Sequence, residues 1–300
     1  MFEACCNYQW AREFLKNAIE ANASKVEFGI EWNTVEKFGL YRRTIVDNGL
    51  GMSKDELLLF FSTLGEGAKR IGGIHDNFGV GAKIASLPWN AEGVVVISYK
   101  DGKGSMIQIE LDPDTADYQL IEYQSERGTS YVINPSDVAD WGEDVNWDTV
   151  APDWIRQNGT MIVLLGSEEA TDTVLGNPKA GEKDIKGLSV YLNTRFWDLS
   201  QTEVTVVELR SERKTSWPQG PNDRDDSRRP NNRRIMGAKH YLDAVKSSNG
   251  TLSASSNIVL DDNRVAAHWF LWEGERPNIH SYAKKPAYIA VPHRDSALQH

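Results

Sequence analysis

Apolar side chains at Trp10, Phe14, Leu15, Ala18 and Ile19 recur at the spacing of one helical face, which predicts a helix from about Tyr8 to Asn22. In "KVEFGIEW" the residues Val26, Phe28, Ile30 and Trp32 alternate with polar neighbours, and "GLYRRTIVD" follows after a short polar link. Two strands in a hairpin are therefore expected. Ser53 and Glu56 form a capping-box pattern ahead of "LLLFF", so a helix should begin directly after "DNGLGM". "GAKIASL" predicts another helix opening on Gly81. From Gly93 onward strands dominate, in "GVVVISY", "SMIQIEL", "YQLIEY", "TSYVI" and later "TMIVLLG". The acidic, tryptophan-bearing segment from Asp137 to Asp153 shows no clear period and is expected to be a surface excursion. A helix near Ile185 to Phe196 completes a first domain, taken as residues 1–200.

Past the strand "EVTVVEL", the stretch "SWPQGPNDRDDSRRPNNRR" is too poor in apolar residues to hold a regular element, so an Arg-rich loop is expected over 211–234. It lies in a second domain, residues 201–300, whose strands are expected at "NIVL", "VAAHWFLW" and "AYIAV". That region ends without an obvious closing element, which suggests a piece of something longer. A chain of 300 residues is long enough for two domains with separate cores.

The 33 basic and 43 acidic residues give a net charge of -10, which argues against a dedicated nucleic-acid domain. Arg224, Arg228, Arg229, Arg233 and Arg234 form the one basic cluster, but they alternate with acids and read as a solvated loop before they read as a DNA clamp. Adjacent Cys5 and Cys6 cannot staple distant parts of the chain and suit a reducing compartment. With no apolar run of membrane length and no signal-peptide layout, no membrane partner and a cytoplasmic location are expected.

Three stretches carry candidate chemistry. On the first helix Glu13 and Asn17 are four apart and project from one face. A carboxylate beside a neutral oxygen suits a magnesium-triphosphate site, with Asn17 on the metal and Glu13 as the base that activates water. An isolated pair of this kind is more often a solvated helix face. In "DNGLGM", Asp47 ends an apolar strand and needs donors to satisfy it, which the exocyclic amine of a purine supplies. Gly49 and Gly51 let backbone approach a flat ring, and Met52 offers a soft apolar contact. A plain D-N-G turn explains the first three residues but neither Gly51 nor Met52. In "NFGVGAK", from Asn77, the residues Gly79, Val80 and Gly81 form a loop whose amides and following helix N-terminus favour phosphate. Lys83 reads equally as a phosphate contact and as a solvated first-turn lysine. No Walker loop is present.

In this order and spacing the three stretches resemble the ATP site of the GHKL superfamily, which includes gyrase-type topoisomerases, heat-shock chaperone ATPases, histidine kinases and MutL. The resemblance covers about residues 8 to 90. It implies a Bergerat fold, an α/β two-layer sandwich with helices on one face of a mixed sheet, followed by a strand-rich, transducer-like region. By the same likeness Glu13 is the catalytic base, Asn17 the Mg²⁺ ligand, Asp47 the adenine partner, and Ser62 to Gly81, with six glycines, the ATP lid. The family's Gly-Thr, whose hydroxyl supports the adenine-binding acid, has two candidates, Gly128-Thr129 and Gly159-Thr160. Thr160 is preferred because its strand is more apolar and should lie beside that of Asp47.

Within the superfamily, the long region after the lid and the absence of an upstream phospho-accepting helix argue against a histidine-kinase catalytic domain. The layout is instead reminiscent of MORC, heat-shock chaperone and MutL proteins. That likeness implies an Mg²⁺-dependent ATPase working by lid closure and nucleotide-dependent homodimer association. A nucleotide-binding scaffold or sensor without productive hydrolysis is the alternative. Lys239, Lys284 or Lys285 could reach the γ-phosphate, although a solvated lysine is the plainer reading of each. Whether a protein client or DNA is acted upon is open.

Overall fold

The computed structural model describes residues 8–62, 85–115, 117–125, 128–137, 146–168, 171–174, 187–207, 232–240, 252–260 and 265–272. The chain divides into two compact units, Met1–Ile185 with Thr202–Arg234, and Lys186–Gln201 with Ile235–His300.

The first unit opens with helix α1 (Gln9–Glu20), which buries Trp10, Phe14, Leu15 and Ala18 as its apolar spacing predicts. Strand β1 (Lys25–Glu31) then pairs antiparallel with β2 (Arg42–Asp47), Val26 standing opposite Asp47. The expected hairpin differs in its connection, because residues 32–38 form a short helix, α2 (Trp32–Phe38). The Glu31 carboxylate caps it, accepting the N–H groups of Asn33 and Thr34 at 2.7 and 2.8 Å, and Gly39 ends it in the left-handed conformation, φ 67°. Trp32, read as the last alternating strand residue, therefore begins a helix. Helix α3 (Lys54–Ser62) starts where the capping box put it: Glu56 accepts Ser53 N–H at 2.8 Å, and Ser53 Oγ lies 3.4 Å from Glu56 N–H.

Strands β3 (Gly93–Lys100), β4 (Lys103–Leu111) and β5 (Tyr118–Leu120) form an antiparallel meander. "YQLIEY" splits after β5, since β6 (Tyr123–Ser125) pairs with β7 (Gly128–Ser130) in a separate two-stranded sheet. Residues 147–150 form a single helical turn, α4 (Trp147–Val150), before β8 (Gly159–Gly166), every residue of which is buried. With β9 (Glu203–Val207) and β10 (Asn232–Ile235) the main sheet has eight strands in the order β10-β9-β1-β2-β8-β3-β4-β5. It is mixed: β9 runs parallel to β1, while β8 is antiparallel to both β2 and β3. Part of the expected Arg-rich loop, Asn232 to Arg234, is thus strand.

The two faces of the sheet have different cover. Val46, Val95, Ile97, Tyr99, Met161 and Val163 point into one core with Trp147 and Ile155. The segment from Asp137 to Asp153 is therefore not only a surface excursion, because Trp147 is 2% exposed at the centre of that core. Trp147 sits on α4 and Ile155 on a 3-10 turn, Asp153–Ile155, with extended backbone at Ala151 and Pro152 between them, so no single period marks the segment. On the opposite face Ile45, Val94, Val96 and Ile162 meet side chains of α1 and α3 around a cavity. Helices α1 and α3 thus share one face of the mixed sheet, as the expected α/β two-layer sandwich requires.

The second unit contains helix α5 (Gly187–Arg195) and the antiparallel pair β11 (Leu252–Leu260) and β12 (Val265–Trp272). Asn193 Oδ1 accepts the N–H groups of Met236 and Gly237 at 3.0 and 3.1 Å. No helix among the described residues is long and apolar enough to cross a membrane.

Candidate functional site

The cavity between α1, α3 and the sheet has a volume of about 330 Å³ and a mostly apolar lining, including Phe14, Phe60, Leu87 and Ile162. Asn17, Asp47, Gly51, Met52 and Thr160, five of the residues singled out from the sequence, meet in it. Pockets of this size and composition, with few polar groups converging on an apolar enclosure, are the usual form of a small-molecule site.

The register of the sheet builds the polar floor. Asp47 stands opposite Thr160 across β2 and β8, and Thr160 opposite Ser98 across β8 and β3. Directly opposed residues share a sheet face, so the carboxylate and two hydroxyls form one row over three adjacent strands. Thr160 Oγ1 and Ser98 Oγ are 2.9 Å apart. Thr129, the other Gly-Thr candidate, lies on β7 outside the main sheet.

The loop after Asp47 is held at nearly every amide. Gly49 N–H donates to Asp47 Oδ1 at 2.8 Å, Leu50 N–H to Ala21 O at 3.0 Å, and Met52 N–H to Ser98 Oγ at 2.8 Å. Asn48 clamps the loop to the start of β1, its Oδ1 accepting Ser24 and Lys25 N–H at 2.9 and 2.8 Å. The need for glycine at 51 comes from the protein itself: φ is 65°, and a Cβ would sit 1.8 Å from Tyr99 O. Glycine at 159 has a similar cause, because a Cβ there would lie 2.4 Å from Asp47 O, which lets β8 approach β2 beside Thr160. Asp47 is half-buried, and loss of solvation pushes its acid up to about 6 against the pull of Gly49 N–H. At the rim, Lys100 Nζ lies 2.6 and 2.8 Å from the Glu56 oxygens and, with Ser53, holds that acid down at about 2.

Glu13 and Gly49 do not line the cavity. Helix α1 faces the cavity through Phe14, Asn17, Ala18 and Glu20, with Ala21 just past its end, which leaves Glu13 at the margin, and the Glu13 carboxylate is paired with Arg12. Gly79, Val80, Gly81 and Lys83, with Asn77 and the expected lid between Ser62 and Gly81, fall outside the described residues apart from Ser62 at the end of α3. So do Lys284 and Lys285, whereas Lys239 Nζ is paired with Asp198 Oδ2 at 2.7 Å. Ser98 and Asn48 were not anticipated from the sequence. Ser98 could have been found as the one hydroxyl in the apolar run "GVVVIS", in phase with Val94 and Val96.

Residues 11–136 match the family described as histidine kinase-, DNA gyrase B-, and HSP90-like ATPase. The first part of the chain is thus similar to the ATP-binding domains of the GHKL superfamily. Among individual proteins, the chaperone protein HtpG of Alcanivorax borkumensis is 28% identical over 183 residues, covering 56% of this chain. The 43K ATPase domain of Thermus thermophilus gyrase B, in a complex with an aminocoumarin, matches 87% of this chain with a TM-score of 0.44 and 13% identity. The chain spans 28% of the length of the chaperone and 55% of the gyrase chain.

Proposed function

We propose that the cavity binds ATP with Mg²⁺ and that the protein hydrolyses it as a conformational switch. One observation carries this reading: the half-buried carboxylate residue on the cavity floor, Asp47, lines with Thr160 the same apolar cavity as Asn17. Asp47 would accept the exocyclic amine of adenine, Met52 would pack against the ring, and Thr160 would stand beside the acid. Asn17 offers one neutral oxygen, which fits Mg²⁺ because that ion keeps phosphate and water as most of its ligands. Bound there, Mg²⁺ would supply charge neutralisation on the phosphates. Gly79, Val80, Gly81 and Lys83 are proposed to cradle those phosphates within a lid that closes over them. Closure would bring two protomers together, in a larger machine acting on a protein client or DNA.

Glu13 is the proposed base. A second reading, a nucleotide-binding sensor without productive hydrolysis, is favoured by its position at the cavity margin and its pairing with Arg12. One experiment separates the two. Glu13→Ala is expected to bind ATP with wild-type affinity, measured by calorimetry, and to lose hydrolysis by 10²-fold or more, the usual contribution of a general base. Wild-type turnover in that variant would remove Glu13 from the chemistry, and no turnover in the wild type would leave the sensor reading.

A further inference from the structure

We propose that Ser98 is a positioning residue for the base end of this site, an inference that rests on the reading of the cavity as a purine-nucleotide pocket. Ser98 is fully buried and has no place in the cavity lining, yet it touches both halves of the apparatus that would receive the base. Its Oγ accepts Met52 N–H at 2.8 Å, fixing the far end of the loop that begins at Asp47. The same atom lies 2.9 Å from Thr160 Oγ1 and 3.1 Å from Gly159 O.

A serine hydroxyl has one proton and two lone pairs. One lone pair is used by Met52 N–H, so the proton goes either to Gly159 O or to Thr160 Oγ1. In the first case Thr160 donates back to Ser98 and presents only lone pairs to the cavity. In the second, Thr160 accepts from Ser98 and is left with its own proton to give beside Asp47. Either way Ser98 sets what Thr160 can offer a ligand, while holding the main chain of Met52 against the same strand. Removing the hydroxyl orphans a part-buried amide and releases Thr160 to rotate. The inference needs no contact between Ser98 and the ligand.

The test compares adenosine, ADP and ATP binding, by calorimetry without Mg²⁺, in the wild type, Ser98→Ala and Ser98→Thr, with thermal unfolding of each protein measured alongside. Ser98→Ala is expected to weaken all three ligands by the same factor, about tenfold, because the fault lies at the end they share. Ser98→Thr, which keeps a hydroxyl, is expected to restore binding. A purely structural serine would lower the unfolding temperature and leave the affinity of the folded variant unchanged. Wild-type adenosine affinity in folded Ser98→Ala, a loss confined to ATP, or failure of folded Ser98→Thr to recover binding would each overturn the inference. If Ser98→Ala does not fold, Ser98→Cys, of similar volume but a weak acceptor, takes its place under the same criteria. A wild type that binds neither adenosine nor ATP overturns the purine reading itself and this inference with it. Binding by the wild type with no effect at Ser98 overturns the inference alone.

Discussion

Burial raises the acid of Asp47 to about 6, above its ordinary value of 3.8, so ionising it opposes folding. The stability tied to its neutral form is complete below the unfolded value and is lost as pH rises through about 6. Asp47→Asn keeps an acceptor for Gly49 N–H without the charge. It is expected to be more stable than the wild type by up to about 3 kcal/mol at pH 8, a gap that shrinks as pH falls through 6 and closes near 4. Urea unfolding across that range checks it, and a gap independent of pH would show that Asp47 is not the titrating group. Gly51→Ala addresses the loop: the added carbon meets Tyr99 O, so a loss of about 1–3 kcal/mol is expected in the same assay, with weakened nucleotide binding. At this scale the sequence was informative where a residue type broke its context. Asp47, Gly51 and Thr160 could be read in that way, and Asn17 from its spacing. Ser98 was hidden by its apolar strand, and the margin position of Glu13 depends on how α1 is rotated against the sheet, which a four-residue spacing does not specify.

Among the elements, α1, α3, β3, β4 and β8 follow from periodicity and capping, because each satisfies its local preference and its burial together. α2 does not, since the alternation that marks β1 continues into Trp32 and only the Glu31 cap reveals the change. The turn α4 was missed for a related reason, its four residues being too few to show a helical period in an acidic surround. Trp147 is the most informative test of that element. Trp147→Ala is expected to cost about 3–5 kcal/mol, as for other large side chains removed from a core, seen as a lower urea midpoint. A change below about 1 kcal/mol would place Trp147 at the surface, where the sequence had put it. Because its core lies on the sheet face away from the cavity, whatever remains folded should still bind nucleotide.

For the molecule as a whole, the proposed switch predicts a change of association. With a non-hydrolysable ATP analogue and Mg²⁺ the chain should shift from monomer toward dimer in sedimentation, and Asp47→Ala, lacking the purine acceptor, should stay monomeric. A monomer under both conditions would count against dimer switching by this chain while leaving nucleotide binding intact. The class of fold was legible from motif order, but the sheet order was not, because β8 enters between β2 and β3 from more than 100 residues beyond β2, and β9 reaches β1 from further still.

That strand order bears on where the chain can be cut. The stretch matched to the ATPase family ends at residue 136, before β8 begins at Gly159, so a fragment trimmed to the match would lack the centre of its own sheet. β2 and β3 would face each other across a missing neighbour, two bare edges open to pairing with other chains, and Asp47 would have no threonine opposite it. Expression boundaries drawn from sequence similarity would therefore yield an aggregating half-domain, whereas a cut placed after Val207 keeps the central strand and the parallel strand beside β1.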